Sequence, residues 1–288
     1  MKIPFTFTEQ MQLMKSRGLI ITDEDECLEF LRSVNYYWSS AYLLPFKQKD
    51  DSYTPGTTFK KFYRIYKFDR KLRSLIFSVI EEIELHLRAQ FAYHSAHAHG
   101  ATAYLCNEHY NSRHDHDKFL KVINVAISNN KNTSVVLHHN SVYGGVFPIW
   151  VIIDFFSIGN LSHFYADWLI PDKKQVARDL FSTTYPFVDS WMKCITVLRN
   201  RCAHYSRLYY SSFTDLPRIH SALQYECSGR VYDQLLMLKF LYIYKEKWNV
   251  VFVEPLKELV SEYKDSISFS HIGFPENWKD LLKYKKEP

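Results

Sequence analysis

From Phe59 to about His97 apolar residues recur at intervals of three and four almost without interruption, and that run confines the chain to a helical architecture. Tyr63, Ile65, Tyr66, Phe68, Leu72, Leu75, Ile76, Val79, Ile80, Ile83, Leu87 and Phe91 carry the period, and neither Gly nor Pro breaks it. At 1.5 Å per residue such a helix is roughly 58 Å long, enough to act as the scaffold against which everything else packs. Glu84 and Arg88 lie four apart on it and can pair. Two readings of that pair stay open. It is either a solvated surface pair of small energetic value, or one of the acids reaches a neighbouring basic helix and orients an arginine there.

Gly is scarce, 8 in 288 residues, while Phe and Tyr reach 21 each, a balance that favours long helices packed through aromatic rings. Few segments alternate with period two, so the expected class is all-α. A short helix over 8–18 ends at Gly18, a candidate C-cap. Thr22 stands as N-cap before the acid-rich DEDECLEFLRSV. NYYWSSAYLLPFK reads as a short helix or turn, DDSYTPGTTF as a loop, Asp115–Ser128 as a polar helix and SNNKNTS as a surface loop. PIWVIIDFFSIGNLSHFYADWL, opening on Pro148, is apolar nearly all round and predicts a central buried helix. Further helices are expected near 233–247, 254–265 and 275–284, the last with a basic tail. With no repeat and no long linker, residues 1–288 read as a single all-helical domain, of which about 214–288 is a C-terminal extension.

The net charge of +5 permits an anionic partner without requiring one. Five cysteines without framework spacing suit reduced thiols. The N-terminus lacks a signal-peptide pattern, and the longest apolar run, Phe147 to Gly159, contains Asp154 and is too short to span a bilayer. A soluble, cytoplasmic protein without membrane contact is the expectation.

The second constraining stretch is WMKCITVLRNRCAHYSRLYY, Trp191 to Tyr210. Read as one helix within about 186–210, it stacks Trp191, Ile195, Leu198, Cys202, Tyr205 and Tyr209 in an apolar stripe. The opposite face presents Lys193, Asn200, His204 and Arg207, with Arg199 and Arg201 on the flanks. No acidic residue lies between Asp189 and Asp215, so the face is basic and suits a phosphate ester. Arg199 is about 140° from His204 around such a helix, so a second copy of the helix across a dimer interface would help bring both groups to one phosphate. Tyr205, on the apolar side, reads as core in preference to a base-stacking platform. From periodicity alone, a solvated basic face accounts for the same pattern.

LRNRCAHYSRLYY resembles the signature of the AbiD/AbiF abortive-infection family, whose helical domain belongs to the HEPN ribonuclease superfamily. LRSVNYYWSSAYLLPF, FDRKLRSLIFSVIEEIELHLR and PIWVIIDFFSIGNLS resemble further blocks of that family in the same order, so the likeness covers most of residues 10–213. The chain departs from the family pattern at Tyr210 and at Trp38, Ser39, Ser40 and Ala41. The resemblance implies a HEPN-like helical bundle with additional N- and C-terminal helices. It also implies metal-independent cleavage of RNA by an effector of phage defence, a toxin restrained by an inhibitory partner that is either a protein or a small RNA. A homodimer is expected, with no cofactor.

In that chemistry the RNA 2′-hydroxyl attacks the adjacent phosphorus and charge builds on the phosphoryl oxygens. Arg199 can stabilise that charge, His204 can transfer a proton, and Asn200 can fix the imidazole or the phosphate. Arg201, Arg207 and Lys193 are candidate RNA contacts, and Glu84 with Arg88 a supporting pair. A non-catalytic RNA-binding module and a helical protein-interaction domain are the alternatives.

Upstream, His86, His94, His97, His99, His109, His114 and His116 crowd one span with Cys106. Cys106-x2-His109 and His114-x-His116 match no familiar zinc spacing, so surface histidines and no metal are the expectation.

Overall fold

The computed structural model describes residues 3–284 and is all-α. Among those residues no strand forms, only three isolated bridges, and no helix is long and apolar enough to cross a membrane. The basic tail beyond Tyr284 lies outside the described residues.

Helix α1 (Phe7–Ser16) begins in a capping box, Thr6 accepting from the Glu9 amide while Glu9 reaches back to Thr6. It ends with Arg17 as C-cap and Gly18 one residue on, at φ +89°. Helix α2 (Glu24–Ser33) is capped by Asp23, not Thr22, because the Asp23 carboxylate takes the Glu26 amide. The aromatic segment forms the short α3 (Tyr36–Ser39) and then a 3-10 turn over Ser40–Phe46 that accommodates Pro45.

Helix α4 (Phe59–His99) is the continuous 41-residue rod that the periodicity calls for, started by Thr58 capping Lys61 and stopped by Gly100 at φ +101°. Its inner face buries Phe62, Ile65, Phe68, Leu72, Ile76, Ile80, Ile83, Leu87 and Phe91. Tyr63, Tyr66 and Leu75 of the same pattern remain only partly buried.

Beyond it come α5 (His116–Asn129), capped by Asp115, and α6 (Ser134–Val142), which the sequence pattern does not reveal. The apolar segment after Pro148 is broken where one helix was expected. It forms α7 (Ile149–Ile152), a 3-10 turn, and α8 (Ile158–Ala166), whose cap Ser157 binds the Asn160 amide. The Ser157 hydroxyl offers a new helix start that outcompetes continuation of the first.

Helix α9 (Ile170–Phe181) leads to α10 (Tyr185–Ala203), which packs on α4, α8 and α9. The C-terminal extension contributes α11 (Val231–Leu241), α12 (Lys245–Trp248), a π turn, α13 (Glu254–Tyr263), α14 (Phe269–Ile272) and α15 (Trp278–Leu282). α11 lies against α10 and α13 against α4, so the extension shares one continuous apolar core with the rest.

Candidate functional site

The expected signature helix stops at Ala203, seven residues short of Tyr210. His204 is its C-cap, and Tyr205 adopts the left-handed conformation at φ +57°. The Tyr205 amide bonds to the Cys202 carbonyl at 3.2 Å and the Ser206 amide to the Arg201 carbonyl at 2.8 Å. That pair of bonds is a Schellman closure, with Tyr standing where Gly is usual. A non-glycine residue there costs roughly 1–2 kcal/mol. Tyr205 is 73 % exposed and not in the core as expected. Trp191, Ile195, Leu198 and Cys202 do form the buried stripe of α10.

What holds the chain in this path is a fully buried carboxylate that the sequence reading missed. Asp69, on α4, accepts the amides of Leu208 (3.2 Å) and Tyr209 (2.7 Å), the Tyr42 hydroxyl (2.5 Å) and the Arg73 guanidinium. Arg73 also donates to Tyr42 (3.0 Å) and to the Ser206 carbonyl (3.4 Å). Burial pushes the Asp69 carboxyl up, and these four donors oppose the push by favouring its charged form. An Asp and an Arg four apart on the core side of α4 were the available signal.

His204 opens onto a cleft of about 1030 Å³ between the α2–α3 junction, α4 and the end of α10. Its walls include Asn35, Trp38, Tyr66, Arg70, Arg73 and Tyr205. Arg70 is exposed, Arg73 nearly buried at the floor, and Trp38 and Tyr66 half-buried with their rings 6.1 Å apart. Cations, an imidazole, aromatic faces and the exposed acid Glu81 therefore share one concave surface.

Arg199 is not among the walls of that cleft. Its Nε lies 3.4 Å from Glu84 Oε2 without making a hydrogen bond, and its guanidinium sits 5.9 Å from the Phe77 ring. Glu84 also pairs with Arg88, which donates to the Ile153 carbonyl. The Glu84–Arg88 pair is thus a half-buried bridge between α4, α10 and the turn after α7, and not a solvated surface pair. Asn200 and Lys193 are exposed on α10. Lys193 lines a different groove with Asp189, Asp215 and Arg218, about 16 Å along the axis from His204 at 1.5 Å per residue.

Arg201 and Arg207 are tied to protein carbonyls. Arg201 donates to Ser211 Oγ (2.8 Å) and the Ser212 carbonyl (2.9 Å) and covers the Phe213 ring at 4.0 Å. Arg207 donates to the Ala41 carbonyl at 2.6 Å. Burial lowers both guanidinium groups from the ordinary arginine range. Their geometry braces the segment after α10.

The upstream histidines are more ordered than surface groups. His114 is almost fully shielded, its Nδ1 2.8 Å from Asp167 and its Nε2 3.2 Å from His116 Nδ1. His116 in turn reaches the Leu105 carbonyl. His99 Nε2 lies 3.0 Å from Asp172 Oδ2 and its ring stacks on His109. Cys106, Glu108 and His109 bring one potential ligand atom each within 4.8 Å of one another, the one such group of three among the described residues.

Fold and site together define an all-α protein with a surface cleft that brings Trp38, Tyr66, Arg70 and Glu81 beside the His204 of an Arg-x4-His motif. The chain belongs to an abortive-infection family: the family model for Abi-like protein matches residues 29–210, well over half of the 288. No curated protein and no solved structure matches it significantly.

Proposed function

We propose that this chain is a metal-independent endoribonuclease of the HEPN type, a phage-defence effector that cleaves RNA by internal attack of the 2′-hydroxyl. The observation that carries this reading is the cleft, which His204 lines together with the exposed Arg70 among Trp38, Tyr66 and Tyr205, over an Arg73 already paired with Asp69. Arginines neutralise phosphates, and exposed aromatic faces stack on unpaired bases, the usual means of holding single-stranded RNA. His204 moves the proton of the 2′-hydroxyl or of the leaving 5′-oxygen. Phosphorus gains the 2′-oxygen and loses the 5′-oxygen, giving a 2′,3′-cyclic phosphate and a 5′-hydroxyl. DNA lacks that nucleophile and resists.

Arg199 has to meet the same phosphate from outside the cleft of its own chain, which a homodimer solves. Support for the dimer comes from an apolar groove along α4 outside that cleft, where Leu85 and Tyr93 are exposed at 64 and 56 %, with Trp150 alongside at 53 %. In the proposed dimer a second copy covers that groove, and the Arg199 of one protomer serves the phosphate held in the cleft of the other. A toxin of this type needs an inhibitory partner, a protein or a small RNA occupying the cleft.

A second reading, RNA binding without cleavage, is favoured by the Glu84 ion pair that occupies Arg199. Labelled single-stranded RNA incubated with the purified protein in EDTA separates the two. Cleavage to cyclic phosphate ends, lost in Arg199→Ala and His204→Ala, supports the nuclease. Binding without cleavage overturns it.

A further inference from the structure

The 3-10 turn Asn107–His109, in the connection between α4 and α5, brings three donors of different chemistry to one side of the chain. Cys106 Sγ, a Glu108 carboxylate oxygen and a His109 ring nitrogen all lie within 4.8 Å of one another. His109 Nε2 and Glu108 Oε1 are 3.6 Å apart. Two ligands bound at 2.0–2.1 Å to one tetrahedral ion stand about 3.3–3.4 Å apart, so these two need to close by only a few tenths of an ångström.

The imidazole is held on its other side, since its ring stacks on His99 at 4.4 Å and His99 is fixed by Asp172. Cys106 is exposed and in no disulfide, so its sulfur is free to ligate.

The geometry points to a divalent-metal site formed by Cys106, Glu108 and His109, with a ligand set that suits Zn²⁺. A thiolate, an imidazole and a carboxylate are zinc's ligand types, whereas Mg²⁺ and Ca²⁺ call for oxygen donors alone. Three protein ligands leave a fourth position for water or an incoming ligand. The ion fixes the turn itself, whose contact with the end of α4 is the His99–His109 stack, and takes no part in the chemistry of the His204 cleft. Binding deprotonates the thiol, and that proton goes to solvent.

The test uses the full chain, stripped with a chelator and titrated with Co²⁺ and with Zn²⁺ against a chromophoric competitor. One ion per chain is expected, with a thiolate-to-cobalt charge-transfer band in the near ultraviolet and protection of Cys106 from iodoacetamide. Cys106→Ser, an exposed position that leaves the core intact, abolishes the band. Cys106→Ser and His109→Ala each weaken Zn²⁺ binding by at least about ten-fold, while Cys227→Ser leaves it unchanged. Absence of binding at micromolar metal overturns the site, as does a Cys106→Ser protein that binds Zn²⁺ as tightly as the parent. Neither result depends on whether the protein cleaves RNA.

Discussion

The Asp69 carboxylate accepts the backbone amide of Tyr209 at 2.7 Å across 140 residues of sequence, and this bond turns the chain away from the helix it has just left. The Leu208 amide, the Tyr42 hydroxyl and Arg73 converge on the same carboxylate. Asp69→Asn replaces an acceptor by an amide donor that faces these donors. It should destabilise the fold by about 3–5 kcal/mol, as expected when a buried pair loses one partner. Tyr42→Phe removes two hydrogen bonds, the one given to Asp69 and the one taken from Arg73, and should cost about 1–3 kcal/mol. Urea unfolding of the two variants measures the ranking.

The ion pair between Glu84 and Arg199 makes opposite predictions for the two roles that Glu84 can play in a nuclease. As an orienting contact, Glu84→Gln should lower RNA cleavage, and by less than Arg199→Ala, which should cost roughly 10²–10³-fold in rate as for a lost transition-state donor. A faster Glu84→Gln enzyme would show instead that Glu84 sequesters the guanidinium. Single-turnover rates at saturating protein read the difference.

Tyr205 tests whether the cleft stacks bases. Because the ring is 73 % exposed, Tyr205→Ala should leave the melting temperature nearly unchanged. It should weaken single-stranded RNA binding by about 1–3 kcal/mol if one base stacks there. Fluorescence anisotropy with a short labelled RNA, using His204→Ala protein to prevent turnover, gives the affinity.

Thiol chemistry should separate the cysteines cleanly. Burial pushes the thiols of Cys194 and Cys202 up to about 12 and those of Cys27 and Cys227 up to about 11, while Cys106 is exposed. At pH 8 iodoacetamide should label Cys106 first, because the thiolate is the nucleophile. Peptide mass spectrometry of briefly treated native protein checks this, with rapid labelling of Cys202 as the contrary result.

Acid should weaken the fold through its histidines. Burial holds His86, His94, His220 and His271 below the ordinary imidazole value of 6.5, and Arg230 and Lys61 add to the effect at His271. The unfolded chain therefore takes up these protons first as the pH falls below about 6.5, and their contribution to stability is lost through that window. His220 stacks on Phe187 at 4.3 Å in an aromatic pocket with Trp191 and Phe240. His220→Phe should flatten the change in melting temperature between pH 7.5 and pH 5. A slope as steep as the parent's would remove His220 from the account.

The amino-acid order by itself determined the helices wherever the information is local. Periodicity placed the rod from Phe59, and the Gly100 stop and the Asp115 cap act within a few residues of the backbone groups they satisfy. The family signature is equally local, a string of adjacent residues. Only the tertiary structure decided what the signature presents. Whether α10 runs past His204 depends on a competition between its own carbonyls and a carboxylate on α4, and periodicity carries no record of a competitor so far away in sequence. The same holds for the arginines: composition counts Arg199, Arg201 and Arg207 as one basic face. Three-dimensional packing assigns the first to Glu84 and the other two to protein carbonyls, and it leaves Arg70 as the exposed arginine lining the cleft with His204, above the Asp69–Arg73 pair.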